Sequence, residues 1–295
     1  LKAGDLLDPA SWGPEQLADA LSSFNEEKFI EFIDRLYIGS TAEFLASGNI
    51  DLVHAKSIAI NVGQYFGRKN RDDWPDRQVL KIAAGEKLQV HLAMNHDDFS
   101  ILRYYQGRND SIKEVAIMML LKQLMGSDFF HELRTEKQLG YIVAVVDRTI
   151  DRTPGIGLLV QSPKFAIPDL ERSIDDFLLS FSGKLKVLPQ EELEMHKDAV
   201  LVRLREKPKS LAEHSSRLWG NISIRDYNFS RREALMSAVK QLNYSEILEL
   251  YDFLMINSGY SLQLDNALGS VFDEEKFKHN REVFSLPSSA VSAHE

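Results

Sequence analysis

Arg134 and Tyr141 stand either side of Gly140 in the run Phe129-Phe130-His131-Glu132-Leu133-Arg134-Thr135-Glu136-Lys137-Gln138-Leu139-Gly140-Tyr141-Ile142-Val143. A guanidinium and a phenol are both hydrogen-bond donors. Donors aimed at a carbonyl or a developing oxyanion stabilise acyl-transfer transition states. The run reads as a helix that ends at Gln138-Leu139, with Gly140 as a left-handed stop. Tyr141 to Val146 is apolar and β-branched, so it reads as a buried strand. Arg134 then lies in the last helical turns, where the carbonyl end of the dipole favours a cation. The two side chains can face one space across the corner. The residues by themselves leave a plainer role open, in which Arg134 only neutralises a helix end and Tyr141 only packs.

Other chemistries fit less well. None of the eight histidines belongs to H-E-x-x-H or the inverted H-x-x-E-H. The nearest miss is His279-Asn280-Arg281-Glu282-Val283, with Val283 where a second ligand would stand. Catalytic zinc wants three protein ligands, so this reads as a solvated face. His91 and His96 are placed near a strand on opposite faces. His96-Asp97-Asp98 has the composition of a weak metal site but reads as a polar turn between strands. Gly155-Ile156-Gly157 lacks the third glycine and following helix of a dinucleotide fingerprint and reads as a turn entering a strand. No G-x-S-x-G elbow or Walker loop occurs. Arg225-Asp226-Tyr227-Asn228-Phe229-Ser230-Arg231-Arg232 mixes cations and aromatics, yet reads as a solvated loop before a helix.

Composition narrows the classes further. The chain has 295 residues, 44% hydrophobic and 27% charged, the usage of an ordinary folded protein of one or two domains. A net charge of −9 argues against nucleic acid or an anionic membrane as the partner. With no cysteine, disulfide scaffolds, thiolate metal sites and cysteine nucleophiles are excluded. No window reaches the ~20 apolar residues of a membrane helix. The chain opens on Leu1, its first methionine is Met94, and it reads as a piece of something longer.

The elements that must position Arg134 and Tyr141 follow from periodicity. Up to Phe66 the pattern is two helices, a strand over Thr41–Ala46, and a helix over Leu52–Phe66. Residues 67–77 form a polar connection. Strands are expected over Leu88–Met94 and Phe99–Tyr105. Ser111-x-x-Glu114 is a capping box, opening a helix that stops at Gly126, with a second helix from Ser127-Asp128 to Leu139. Ile156–Gln161 is another strand. Helices follow over Pro168–Phe181, Pro189–Arg205 and Asn243–Met255, with further capping boxes at Ser210 and Ser230, and a last strand over Tyr260–Leu264. Directly joined strand pairs imply antiparallel neighbours. The fold class is α+β, a mixed and largely antiparallel sheet with helices on one face.

The run Leu133–Val143 closely resembles the signature of the pitrilysin/insulysin family of zinc peptidases. Similarity spreads through Phe44-Leu45-Ala46-Ser47-Gly48-Asn49, Leu158–Ser162, Lys207-Pro208-Lys209-Ser210-Leu211, Leu218-Trp219-Gly220 and Tyr227-Asn228-Phe229, from about residue 10 to 265. The resemblance implies four homologous α+β domains in two halves that close around a peptide. Residues 1–77 would be the end of the third domain plus a linker, residues 78–270 the whole fourth, and residues 271–295 a tail. It also implies that Arg134 holds a substrate carbonyl and Tyr141 donates to the oxyanion. The zinc would sit in an N-terminal half, with none bound by this chain. The implied partners are peptides and that zinc-bearing half, with neither nucleic acid nor membrane. The implied compartment is the periplasm, or alternatively the cytoplasm. A second reading is a non-catalytic peptide- or protein-binding paralogue. A third is a domain whose signature serves only its fold.

Overall fold

Ser111 accepts the Glu114 amide at 3.3 Å and starts helix α5, Ile112–Phe130. A computed structural model places this and every other element named below, and it describes residues 2–66, 75–92, 96–257, 260–266, 274–278 and 281–288. The stop expected at Gly126 is absent. Helix α5 runs straight through it because Ala116, Leu120, Leu121, Leu124, Met125 and Phe129 make one buried stripe. A mid-helix glycine costs about 1 kcal/mol. Each large apolar side chain removed from water returns roughly 2 kcal/mol, so the stripe wins. The helix then widens into a π-turn, His131–Glu136.

Two compact units divide the chain. The larger comprises residues 1–11, 78–206 and 229–286. Its sheet has the order β2-β6-β3-β5-β4, formed by β2 (Glu86–His91), β6 (Tyr260–Asp265), β3 (Phe99–Gln106), β5 (Gly155–Ser162) and β4 (Ile142–Asp147). The β2–β6 pair is parallel and the other pairs are antiparallel. Alternation sends Ile101, Tyr105, Val143, Ile156, Leu158 and Val160 to one face. There they meet α5, α6 (Ile167–Lys186), α7 (Gln190–Arg205), α9 (Arg231–Gln241) and α10 (Tyr244–Tyr251). Phe129 of α5 packs edge-on against Phe177 of α6 with ring centroids 5.0 Å apart. This is the expected α+β layer.

The opposite face carries a smaller cluster. Tyr104, Val90, Leu262 and Leu264 meet α1 (Lys2–Leu7), β1 (Arg77–Leu80) and β7 (Val283–Leu286). Strands β1 and β7 form a separate two-stranded sheet. Residues 271–295, read as a tail, thus contribute β7 and the short helix α11 (Glu274–Lys278). Gly155 and Gly157, read as a turn, lie inside β5. A Cβ on Gly155 would stand 2.3 Å from the Tyr104 ring.

The second unit comprises residues 12–77, 207–228 and 287–295. Helices α2 (Pro14–Ser22), α3 (Glu26–Gly39) and α4 (Leu52–Gly63) bury no residue, although α2 and α3 are amphipathic. Asn25 and Asp51 cap α3 and α4 through the amides of Lys28 and His54 at 3.1 and 2.8 Å. In the same unit Leu211, on helix α8 (Leu211–Ser223), covers Gly48, and Tyr227 donates to Glu43 at 2.5 Å. The strand expected over Thr41–Ala46 is absent. No strand among the described residues lies beside it, and a ladder needs two. Most of the polar connection lies outside the described residues, as does Met94.

Candidate functional site

The corner after α5 is built by two apolar anchors and one left-handed residue. Leu133 and Leu139 are buried. The Leu139 amide donates to the Leu133 carbonyl at 2.9 Å, closing the π-turn. π-Turns are frequent at functional sites, and this one is the last turn of the helix before the chain bends toward β4. The residue with positive φ is Gln138, at 50°, and not Gly140 as expected. Gly140 is needed for a different reason: a Cβ there would stand 1.9 Å from the Gln161 carbonyl oxygen. Absence of a side chain lets the chain pass over β5 and enter β4.

Arg134 leans over this corner. Its Nη1 donates to the carbonyls of Gly140, at 3.3 Å, and Tyr141. Its guanidinium carbon lies 5.5 Å from the centroid of the Phe130 ring. Nε and Nη2 make no hydrogen bond to the described residues. A fixed guanidinium with donors to spare suits a further carbonyl or carboxylate. Tyr141, at the mouth of β4, is 49% exposed. Arg134 meets Tyr141 through its backbone oxygen, so the phenol extends independently.

The phenol has partners that inspection of the sequence missed. Tyr141 Oη donates to Asp98 Oδ2. Gln161 Nε2 donates to Tyr141 Oη at 2.7 Å and to Asp98 Oδ2 at 3.1 Å. Asp98 is itself anchored: its amide donates to His96 Nδ1 at 3.0 Å, and its carbonyl accepts from Asn266 Nδ2 at 2.7 Å. The hydrogen bond from Tyr141 holds the Asp98 carboxyl below its ordinary range. The same bond raises the Tyr141 phenol above its own. The polar turn His96-Asp97-Asp98 was visible as a turn. Its approach to Tyr141 depends on the strand order β3-β5-β4 and the register Ile142↔Gln161, which no local pattern carries.

The remaining candidates fall elsewhere. His91 meets Asp265 at 2.5 Å in a polar layer that also holds Gln89, Gln263 and Arg103. His96 accepts from the Asp98 amide. No group of three His, Asp or Glu among the described residues is placed to hold a metal ion. His279 and Asn280 lie outside the described residues. In the basic-aromatic run, Arg225 donates to the Pro75 carbonyl and Arg232 to the Arg203 carbonyl at 3.1 Å, contacts that tie loops and a helix end. No described helix is long and apolar enough to cross a membrane.

Residues 120–219 match the family model described as PQQ synthase PqqF-like, C-terminal lobe domain 4. The insulin-degrading enzyme of Drosophila melanogaster is 26% identical over 86% of this chain and 26% of its own length. Protease 3 of Escherichia coli is 23% identical over 88% of this chain and 27% of its own. The crystal structure of pitrilysin superposes with a TM-score of 0.82 at 19% identity, covering 96% of this chain and 32% of that one. The chain therefore spans about a quarter of the length of these curated relatives.

Proposed function

We propose that this chain, a relative of the carboxy-terminal portion of the pitrilysin/insulysin peptidases, supplies the peptide-holding side of a metalloendopeptidase site. Arg134 would hold a substrate backbone carbonyl through its remaining donors. Tyr141 would donate to the oxygen of the scissile carbonyl as that oxygen gains charge. Such donors act best when fixed before the charge appears. The observation that carries this reading is the π-turn and Gly140 corner, which set a tethered guanidinium and a half-exposed phenol on one bend.

The domain reading belongs to the same proposal. On this reading residues 1–77 are the end of a third pitrilysin-type domain plus linker, residues 78–270 a fourth domain and residues 271–295 a tail, with residues 1–11, α11 and β7 joining the larger unit and residues 207–228 the second. The unburied apolar helices α2–α4 suit a piece of a larger domain. No three His, Asp or Glu among the described residues are placed to hold a zinc ion; on this reading an N-terminal half carries it. The working compartment is the periplasm, or alternatively the cytoplasm. Combining the chain with its zinc-bearing half is expected to cleave an internally quenched peptide, with a chelator abolishing cleavage. Stoichiometric zinc on this chain alone would contradict the assignment. Peptide binding without cleavage would favour the non-catalytic paralogue.

A further inference from the structure

Tyr141 is half-exposed at the end of a strand, where a phenol is ordinarily free to change rotamer. Here it is fixed from two directions. Asp98 takes its only proton, and the Gln161 amide occupies one of the oxygen's lone pairs at 2.7 Å. Gln161 also bridges to Asp98 at 3.1 Å, closing a three-membered ring of hydrogen bonds. The ring is anchored at both ends. Gln161 sits on β5 beside the Gly140 corner, and Asp98 is held by Asn266 and His96. Among the described residues the titratable groups facing the phenol are Asp98 itself and, behind it, His96, whose Nδ1 lies 3.8 Å from the far carboxylate oxygen.

We infer that Asp98 is a positioning residue for Tyr141, working with Gln161 to hold the phenol oxygen at one point while its hydrogen remains free to swing. Rotation about the Cζ–Oη bond moves only the hydrogen. It can leave Asp98 for a substrate oxygen while the Gln161 contact keeps the heavy atoms in place. No bond is made or broken in this transfer of a hydrogen bond. A carboxylate acceptor also keeps the phenol protonated, and only the protonated form can donate. This inference rests on the reading that Tyr141 faces the reacting carbonyl, and its test separates the two.

In the complete peptidase, Asp98→Ala is expected to lower kcat about 10-fold with KM within about 2-fold, the mark of an interaction realised in the transition state. Asp98→Asn keeps an acceptor oxygen and is expected to recover most of that loss. The ionisation of Tyr141, isolated by ultraviolet difference against Tyr141→Phe, is expected above the ordinary phenol value of about 10 and to fall toward it in both Asp98 variants. An unmoved ionisation would overturn the inference, because the contact would not exist in solution. So would a moved ionisation with kcat unchanged or raised, since Asp98 would then be ornamental or a competitor for the proton. If Tyr141→Phe alone leaves kcat intact, it is the oxyanion role that fails.

Discussion

Gly140 is the residue on which the corner turns. Any side chain there drives a carbon to 1.9 Å from the Gln161 carbonyl, and Gln161 is also the residue that holds the phenol. Gly140→Ala is therefore expected to cost about 1–3 kcal/mol or more, read as a fall of several degrees in Tm, and to lower activity together with stability. The pH behaviour of the Asp98–Tyr141 contact follows from two opposite shifts. Asp98 is depressed, so its contribution is present above the ordinary carboxylate value and fades as pH falls through its lowered one. Tyr141 is raised, so its contribution is present below the ordinary phenol value and fades as pH climbs through its raised one. The contact is expected to persist throughout the neutral range. An NMR signal of the Tyr141 ring that moves with pH between those limits would contradict this.

The decisive element is α5 with its π-turn. Phe129 is fully buried against Phe177 just before the turn, so truncating it loosens the element that aims Arg134. Phe129→Ala is expected to cost about 3–5 kcal/mol, which for a protein of this size lowers Tm by roughly 10 °C. Calorimetry on the variant checks the value. This element was partly legible. Ser111-x-x-Glu114 announced its start, and the apolar stripe its buried face. Gly126 misled because local propensity marks a break that tertiary burial overrides. Gly140 was recognised as necessary for the wrong reason, since steric contact with a distant strand leaves no trace in nearby residues. Arg134 and Tyr141 could be found because both belong to one contiguous run. Asp98 and Gln161 could not, because they reach Tyr141 only through sheet order and register.

Across the whole chain, the sheet and its helical layer were readable from alternation and helical spacing, whereas the grouping of residues 207–228 with residues 12–77 was not. That grouping rests on contacts such as Leu211 on Gly48 and Tyr227 on Glu43, between segments far apart in sequence. The same unit exposes Trp12, Ile38 and Val53 at 65%, 74% and 77%. The proposed function has a further part of the peptidase cover such side chains. On that proposal the chain expressed by itself is expected to bind a hydrophobic dye and self-associate, and to do neither once joined to the zinc-bearing half. Absence of dye binding by the isolated chain would count against a missing cover. The central claim is that one corner presents donors to a peptide carbonyl, and steady-state kinetics of Tyr141→Phe in the complete peptidase test it most directly. The expected result is a fall in kcat on the order of 10²-fold with little change in KM, as for loss of an oxyanion donor. An unchanged kcat would contradict it.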